Sequence, residues 1–223
     1  MASEQAVRPR RRGRPGGLEG TDLLSVARDI LLREGYAATT MDAIAAAARI
    51  SKQTLYRSHA SKQELFAAVV TDWVERGQNA MRPHLDRLRS TEDVEQALLD
   101  LAGILHAAVL SPPVVQMRSL VIAEAERFPE IAAEYVERSW ERNEALLAEV
   151  FADLARRGLL ETGDAGTAAQ QFTWLVLGAP LDRITLTAGA SRFSEEQLAT
   201  IAGDAVATFL ARWRPARPAR RRV

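Results

Sequence analysis

The side chains best suited to chemistry crowd into one stretch, Ile50 to Phe66, ISKQTLYRSHASKQELF. Ser51, Lys52, Gln53, Thr54, Tyr56, Arg57, Ser58 and Lys62, with Thr40 upstream, offer hydroxyl, amide, phenol and cationic groups matched to phosphate oxygens and base edges. Nothing here builds a catalytic constellation. The 3 histidines are scattered, cysteine is absent, and no HExxH, GxSxG or phosphate-loop pattern occurs. Glu124 and Glu126 stand two apart on a helical pattern and therefore diverge. Neither an enzyme, a metal site nor a cofactor is expected.

The polar stretch needs elements to hold it. From Thr39 onward the pattern predicts a short helix over about 41–48, a tight turn over 48–51 and a second short helix from Lys52 to Ser58, which together make a helix-turn-helix. Ile44 and Ala48 point inward from the first helix, and Ala45 is small enough for a close crossing. Leu55 is the main inward residue of the second, whose start Ser51 can cap. Lys52, Gln53, Thr54, Tyr56, Arg57 and Ser58 are left facing outward, either as a merely solvated face or as a reading face. Adjacent positive charge favours the second reading.

Charge is segregated although the net charge is zero. Residues 1–66 carry 11 Lys/Arg against 7 Asp/Glu, residues 67–211 carry 12 against 22, and residues 212–223 carry six arginines and no acid. Basic ends can attract a polyanion while the acidic middle stays off it. Residues 1–20, rich in Pro, Gly and Arg, read as a disordered arm, and 214–223 as a second basic, disordered tail. With 47% apolar residues, no run long enough to span a membrane and no apolar leader after the basic start, the chain reads as a cytoplasmic globular protein.

Between the tails the apolar period is helical throughout. It recurs over 23–34, 65–74, 94–109, 131–155, 168–187 and 198–213, and no alternation of the strand type competes. Gly35 can close the first helix in the left-handed conformation, Ser61 to Glu64 and Ser194 to Gln197 read as capping boxes, Pro112-Pro113 parts two helices, and Pro180 should kink another. Pro129 to Arg157 has room for one helix of roughly 43 Å. The expectation is an all-α chain with a helix-turn-helix module over 21–66 and a larger helical bundle over 67–213.

The segment TTMDAIAAAARISKQTLYRSHASKQELF resembles the DNA-binding signature of the TetR (tetracycline-repressor-like) family. The likeness spans about residues 21–70. It implies a three-helix N-terminal module with the helix-turn-helix, a fourth helix leading into a ligand-sensing and dimerising domain, and a dimeric transcriptional repressor released from double-stranded operator DNA by a small-molecule effector. By resemblance, Tyr56 and Lys62 would hold phosphates, Gln53, Thr54 and Arg57 would lie nearest the bases, and Thr40, Ser51, Lys52 and Ser58 complete the contact set. Two positions depart from the pattern. Arg49 stands where the turn usually has glycine, and His59 where the family has an aromatic.

Arg12-Gly13-Arg14-Pro15 resembles the core of an AT-hook, in which arginines enter a narrow minor groove; the alternative is a basic arm without groove insertion. Residues 117–186 resemble the C-terminal domain of the AefR-like subgroup. The implied homodimer would join through the last two long helices, with Phe172, Leu175, Val176, Leu198, Ile201, Ala205, Phe209 and Trp213 as an apolar seam, unless these face their own core. Trp73, His106, Met117, Phe128, Tyr135, Trp140 and Trp174 are the candidates for an effector cavity, and for each taken singly ordinary core packing is the commoner role. A DNA-compacting protein without an effector is the rival reading.

Overall fold

The computed structural model describes residues 21–215, and among these every regular element is helical. Arg12, Arg14, the rest of the N-terminal arm and the tail from residue 216 lie outside the described residues.

Ten helices follow in order: α1 (Thr21–Ala38), α2 (Met41–Ala47), α3 (Lys52–Ser58), α4 (Lys62–Ser90), α5 (Val94–Val109), α6 (Pro112–Glu124), α7 (Pro129–Tyr135), α8 (Arg142–Arg156), α9 (Ala165–Leu186) and α10 (Glu195–Trp213). A π-helical turn, Val136–Glu141, joins α7 to α8, so the stretch expected as one long helix is continuous but locally widened.

Starts are set by side-chain caps. Thr40, Ser51, Ser61, Asp93, Asp164 and Ser194 each accept a backbone N–H of the turn they precede. At Ser194 the box with Gln197 is reciprocal. At Ser61 it is not, because the Glu64 carboxylate reaches past it to the Ala60 N–H at 2.8 Å. Gly35 has positive φ as expected, but with φ 76° and ψ 166° it kinks α1 rather than closing it in the left-handed helical region. Pro180 lies inside α9, which continues through it to Leu186.

Two hydrophobic clusters organise the chain. The first gathers α1–α3 and the start of α4, with Ile44, Leu55 and Phe66 buried, and extends into the body through Met117, Phe128, Ile131 and Tyr135. The second joins α4, α5, α8, α9 and α10 around Phe151, Phe172 and Phe209, whose rings lie 5.1–5.9 Å apart. Helix α4 belongs to both and crosses the expected 66/67 boundary unbroken. The α1–α3 module is thus seated on the body by shared apolar surface.

The expected dimer seam is largely consumed by this second cluster. Phe172, Val176, Ala205, Phe209 and Trp213 are buried in the chain's own core. Helical periodicity finds the buried face of a helix, and here that face meets its own neighbours. Leu175 is 40% exposed, and Leu198 and Ile201 are half-buried.

Candidate nucleic-acid interface and ligand cavity

The polar stretch becomes a surface because a few apolar anchors fix it. Ile44, Ala45, Ala48 and Leu55 are buried and hold α2 against α3. The turn between them passes through Arg49 at φ 58°, so the left-handed backbone that glycine would adopt without strain is held here by an arginine. Ser51 caps α3, accepting the Thr54 N–H at 3.0 Å and pairing with the Thr54 hydroxyl at 2.8 Å. Thr40 caps α2 through the Ala43 N–H at 3.1 Å.

What faces outward divides into committed and uncommitted groups. The Lys52 ammonium pairs with Asp42 at 2.6 Å, and the Ser58 hydroxyl donates to the Leu55 carbonyl at 3.0 Å. The side chains of Gln53, Tyr56 and Arg57 are exposed and make no hydrogen bond or ion pair with another described residue. Arg49, overlooked as a candidate because its position was read only for strain, is exposed and equally uncommitted beside them.

Lys62, expected at a phosphate, makes contacts within the chain. Its ammonium donates to the carbonyls of Tyr36 and Thr39, both at 2.8 Å, and lies 4.3 Å from the centre of the Tyr36 ring. These carbonyls follow the Gly35 kink, where a helix end leaves acceptors unsatisfied. His59 ends α3, its N–H bonded to the Leu55 carbonyl, and burial lowers its imidazole pKa, partly opposed by the Glu64 carboxylate.

In the body, α4, α5, α8, α9 and the π-helical turn enclose a cavity of about 400 Å³. The turn has a direct effect on the wall: Tyr135, Ser139, Trp140, Asn143 and Glu144 all line it. Where the widened turn loosens the backbone ladder, side chains take over the carbonyls. The Ser139 hydroxyl donates to the Tyr135 carbonyl, and the Asn143 amide donates to the Ser139 carbonyl at 2.6 Å. π-Helical turns recur at functional sites.

Of the expected cavity residues, Trp73, Tyr135 and Trp140 are brought together on this wall. Trp174 stacks on Trp140 from outside, ring centres 5.4 Å apart, and is 42% exposed. Met117 and Phe128 belong to the cluster joining the reading module to the body, where Phe128 packs 5.0 Å from Tyr36. His106 is buried with Nε2 2.9 Å from the Val176 carbonyl, which makes that nitrogen the protonated one. It borders a wider hollow between α1, α6 and the α9–α10 connection. Ser139, Asn143, Glu144 and Thr173 also line the cavity and were missed, because periodicity does not tell which element covers them.

Burial raises the pKa of Tyr135, opposed by the Arg118 guanidinium. Burial and the neighbouring Glu141 carboxylate raise that of Glu144.

Comparison with known proteins matches both halves. Residues 23–69 match the family described as bacterial regulatory proteins, tetR family, and residues 96–215 match the AefR-like transcriptional repressor C-terminal domain. A solved TetR-family transcriptional regulator from Mesorhizobium loti is 30% identical, with a TM-score of 0.84 over 87% of this chain and 96% of that one. The flavonoid-responsive regulator FrrA is 28% identical, with a TM-score of 0.69 over the same shares. The HTH-type transcriptional regulator Rv1556 of Mycobacterium tuberculosis is 42% identical over 69 residues, 31% of this chain and 33% of its own length. The chain thus spans about a third of the length of that curated relative.

Proposed function

This chain belongs to the TetR family of DNA-binding transcriptional regulators, and from that premise we propose that it acts as a homodimeric repressor released from its operator by a small molecule. Each α3 enters a major groove, the two lying roughly 34–36 Å apart or at a related spacing, on a near-palindromic site. Gln53 and Arg57 face base edges, with Thr54 beside them, while Tyr56 and Arg49 reach phosphates. The arm residues Arg12 and Arg14 extend the contact into the minor groove. The chain works in the cytoplasm.

The dimer forms through the outward faces of α9 and α10. Leu175, Ala179 and Leu186 on α9, with Ala199, Ala207 and Ala211 on α10, are exposed and small or apolar, which suits two helix pairs packing as a four-helix interface. The effector occupies the cavity beside the π-helical turn. That turn continues into α7, whose Glu130 and Glu134 accept hydrogen bonds from Gln63 and Thr71 of α4, each at 3.0 Å. An effector that prefers one arrangement of these helices shifts the population toward dimers whose reading helices no longer match the groove spacing. That a similar chain is named flavonoid-responsive supports a response to a small molecule.

One observation carries the reading. Gln53, Tyr56 and Arg57 stand uncommitted on a helix pinned by a fully buried Leu55. The test is selection of genomic fragments by purified protein, followed by footprinting. A short protected near-palindrome whose base preference changes in Gln53→Ala and Arg57→Ala, with Tyr56→Phe weaker on every sequence, is the expected result. Length-dependent coating of any duplex, indifferent to all three substitutions, overturns it.

A further inference from the structure

The cavity's wall has a chemical bias that the effector reading alone does not supply. Its two charged residues are Arg76 and Glu144. Arg76 is already held by Asp72 at 2.8 Å, so no unpaired cation lines the wall itself for an anionic ligand, and Arg118, whose buried Nε has no partner among the described residues, lies over the Trp140 ring outside that lining. A cationic ligand meets a different obstacle. The Arg28 guanidinium lies 5.5 Å from the centre of the Trp73 ring and that of Arg118 5.4 Å from Trp140, so both indoles already carry a cation. Trp140 has Trp174 stacked on it as well, at an interplanar angle of 14°. An indole paired with a guanidinium attracts a second cation poorly and favours an electron-rich ring.

One polar group of the wall wants a donor. Asn143 donates one amide hydrogen to the Ser139 carbonyl, while its Oδ1 is buried and lacks a partner among the described residues. Ser139 gives its hydrogen to the Tyr135 carbonyl and keeps only lone pairs. Glu144, next to Asn143, adds a carboxyl. The unpaired Oδ1 thus sits beside further lone pairs, on a wall whose other polar groups are Arg76 and the Tyr135 and Thr173 hydroxyls, and a buried unpaired acceptor is costly until a donor reaches it.

We propose that the cavity takes an uncharged, electron-rich aromatic ligand bearing a hydroxyl donor, its ring against Trp73 and Trp140 and its hydroxyl directed to Asn143 and Glu144. This assignment rests on the effector reading above and gives it a ligand class.

Four probes built on one ring system test it: 2-naphthol, 2-methoxynaphthalene, 2-naphthoate and 2-naphthylmethylammonium, titrated calorimetrically into the full chain at neutral pH without DNA. 2-Naphthol should bind about tenfold more tightly than each of the others, the scale of one hydrogen bond to a buried acceptor. In Asn143→Leu/Glu144→Leu the advantage over 2-methoxynaphthalene should fall to about onefold, with retained 2-methoxynaphthalene binding showing that the variant is folded. If the variant does not fold, the wild-type ranking alone decides. A charged probe binding best, equal affinity for naphthol and its methyl ether, an undiminished preference in the folded variant, or no binding by any probe overturns the assignment. Operator release is read separately. A naphthol that binds with this ranking but leaves the DNA complex intact sinks the effector reading and spares the ligand class. Release by a charged compound alone does the reverse.

Discussion

The Lys62 ammonium lies 2.8 Å from the Tyr36 carbonyl and 4.3 Å from the centre of the same residue's ring, tying the first residue of α4 to the end of α1. A cation at a helix start is unfavourable to the helix dipole. Here it is placed where two carbonyls after the Gly35 kink, those of Tyr36 and Thr39, are acceptors to be filled.

Lys62→Met should therefore act through folding. Loss of a charged donor to partly buried carbonyls costs about 1–3 kcal/mol, read as a lower urea midpoint. At temperatures where the variant is folded, the slope of log affinity against log salt should match wild type. A slope reduced by about one would mark Lys62 as a phosphate contact instead.

Arg49 carries φ 58° in the turn between the two helices of the reading motif. Arg49→Gly should relieve the left-handed strain and raise unfolding stability by up to about 1 kcal/mol. The same change should weaken DNA binding on all sequences, because it removes an uncommitted cation from the reading face. Opposite signs for stability and affinity, measured by denaturation and by a binding titration, are the expected pair.

His59 titrates against the fold. Burial lowers its folded-state pKa below the ordinary value near 6.5, so the neutral ring is the form the folded module holds. The associated stability is fully present above about pH 6.5 and is lost as pH falls from there through the lowered folded value. His59→Phe should remove this component, leaving a flatter stability profile over about pH 7.5 to 5. Identical profiles for the two proteins would show that His59 does not contribute.

Leu175 and Phe209 separate the two fates of the expected seam. Leu175 is 40% exposed and Phe209 is 1% exposed. Leu175→Glu should give a folded, helical monomer by sedimentation, with DNA affinity lost for want of the second reading helix. Phe209→Ala should instead cost about 3–5 kcal/mol of stability by opening a core cavity. A dimeric Leu175→Glu variant would move the interface elsewhere.

These contrasts show where the sequence was informative. The helix-turn-helix was legible because its signals are local. Thr40 and Ser51 cap within three residues of themselves, Leu55 is the lone large apolar residue of α3, and α3 runs over Lys52–Ser58 as expected. The seam and the cavity depend on which element covers which, and periodicity does not encode that. Phe172 and Phe209 have the spacing of an interface and pack on each other within one chain. Met117 and Phe128 have the size of ligand contacts and join the module to the body. The π-helical turn had no signature at all, and it turns Ser139, Asn143 and Glu144 onto the cavity wall.

That turn also means the rod from Pro129 to Arg156 is not a stiff axle. It holds one residue of slack between the segment gripping the reading module and the segment gripping the body. Taking up or relocating that slack would swivel one end against the other by about 100°, the angular step of a single helical residue. That slack lies on the wall of the cavity, where Ser139 and Trp140 face inward.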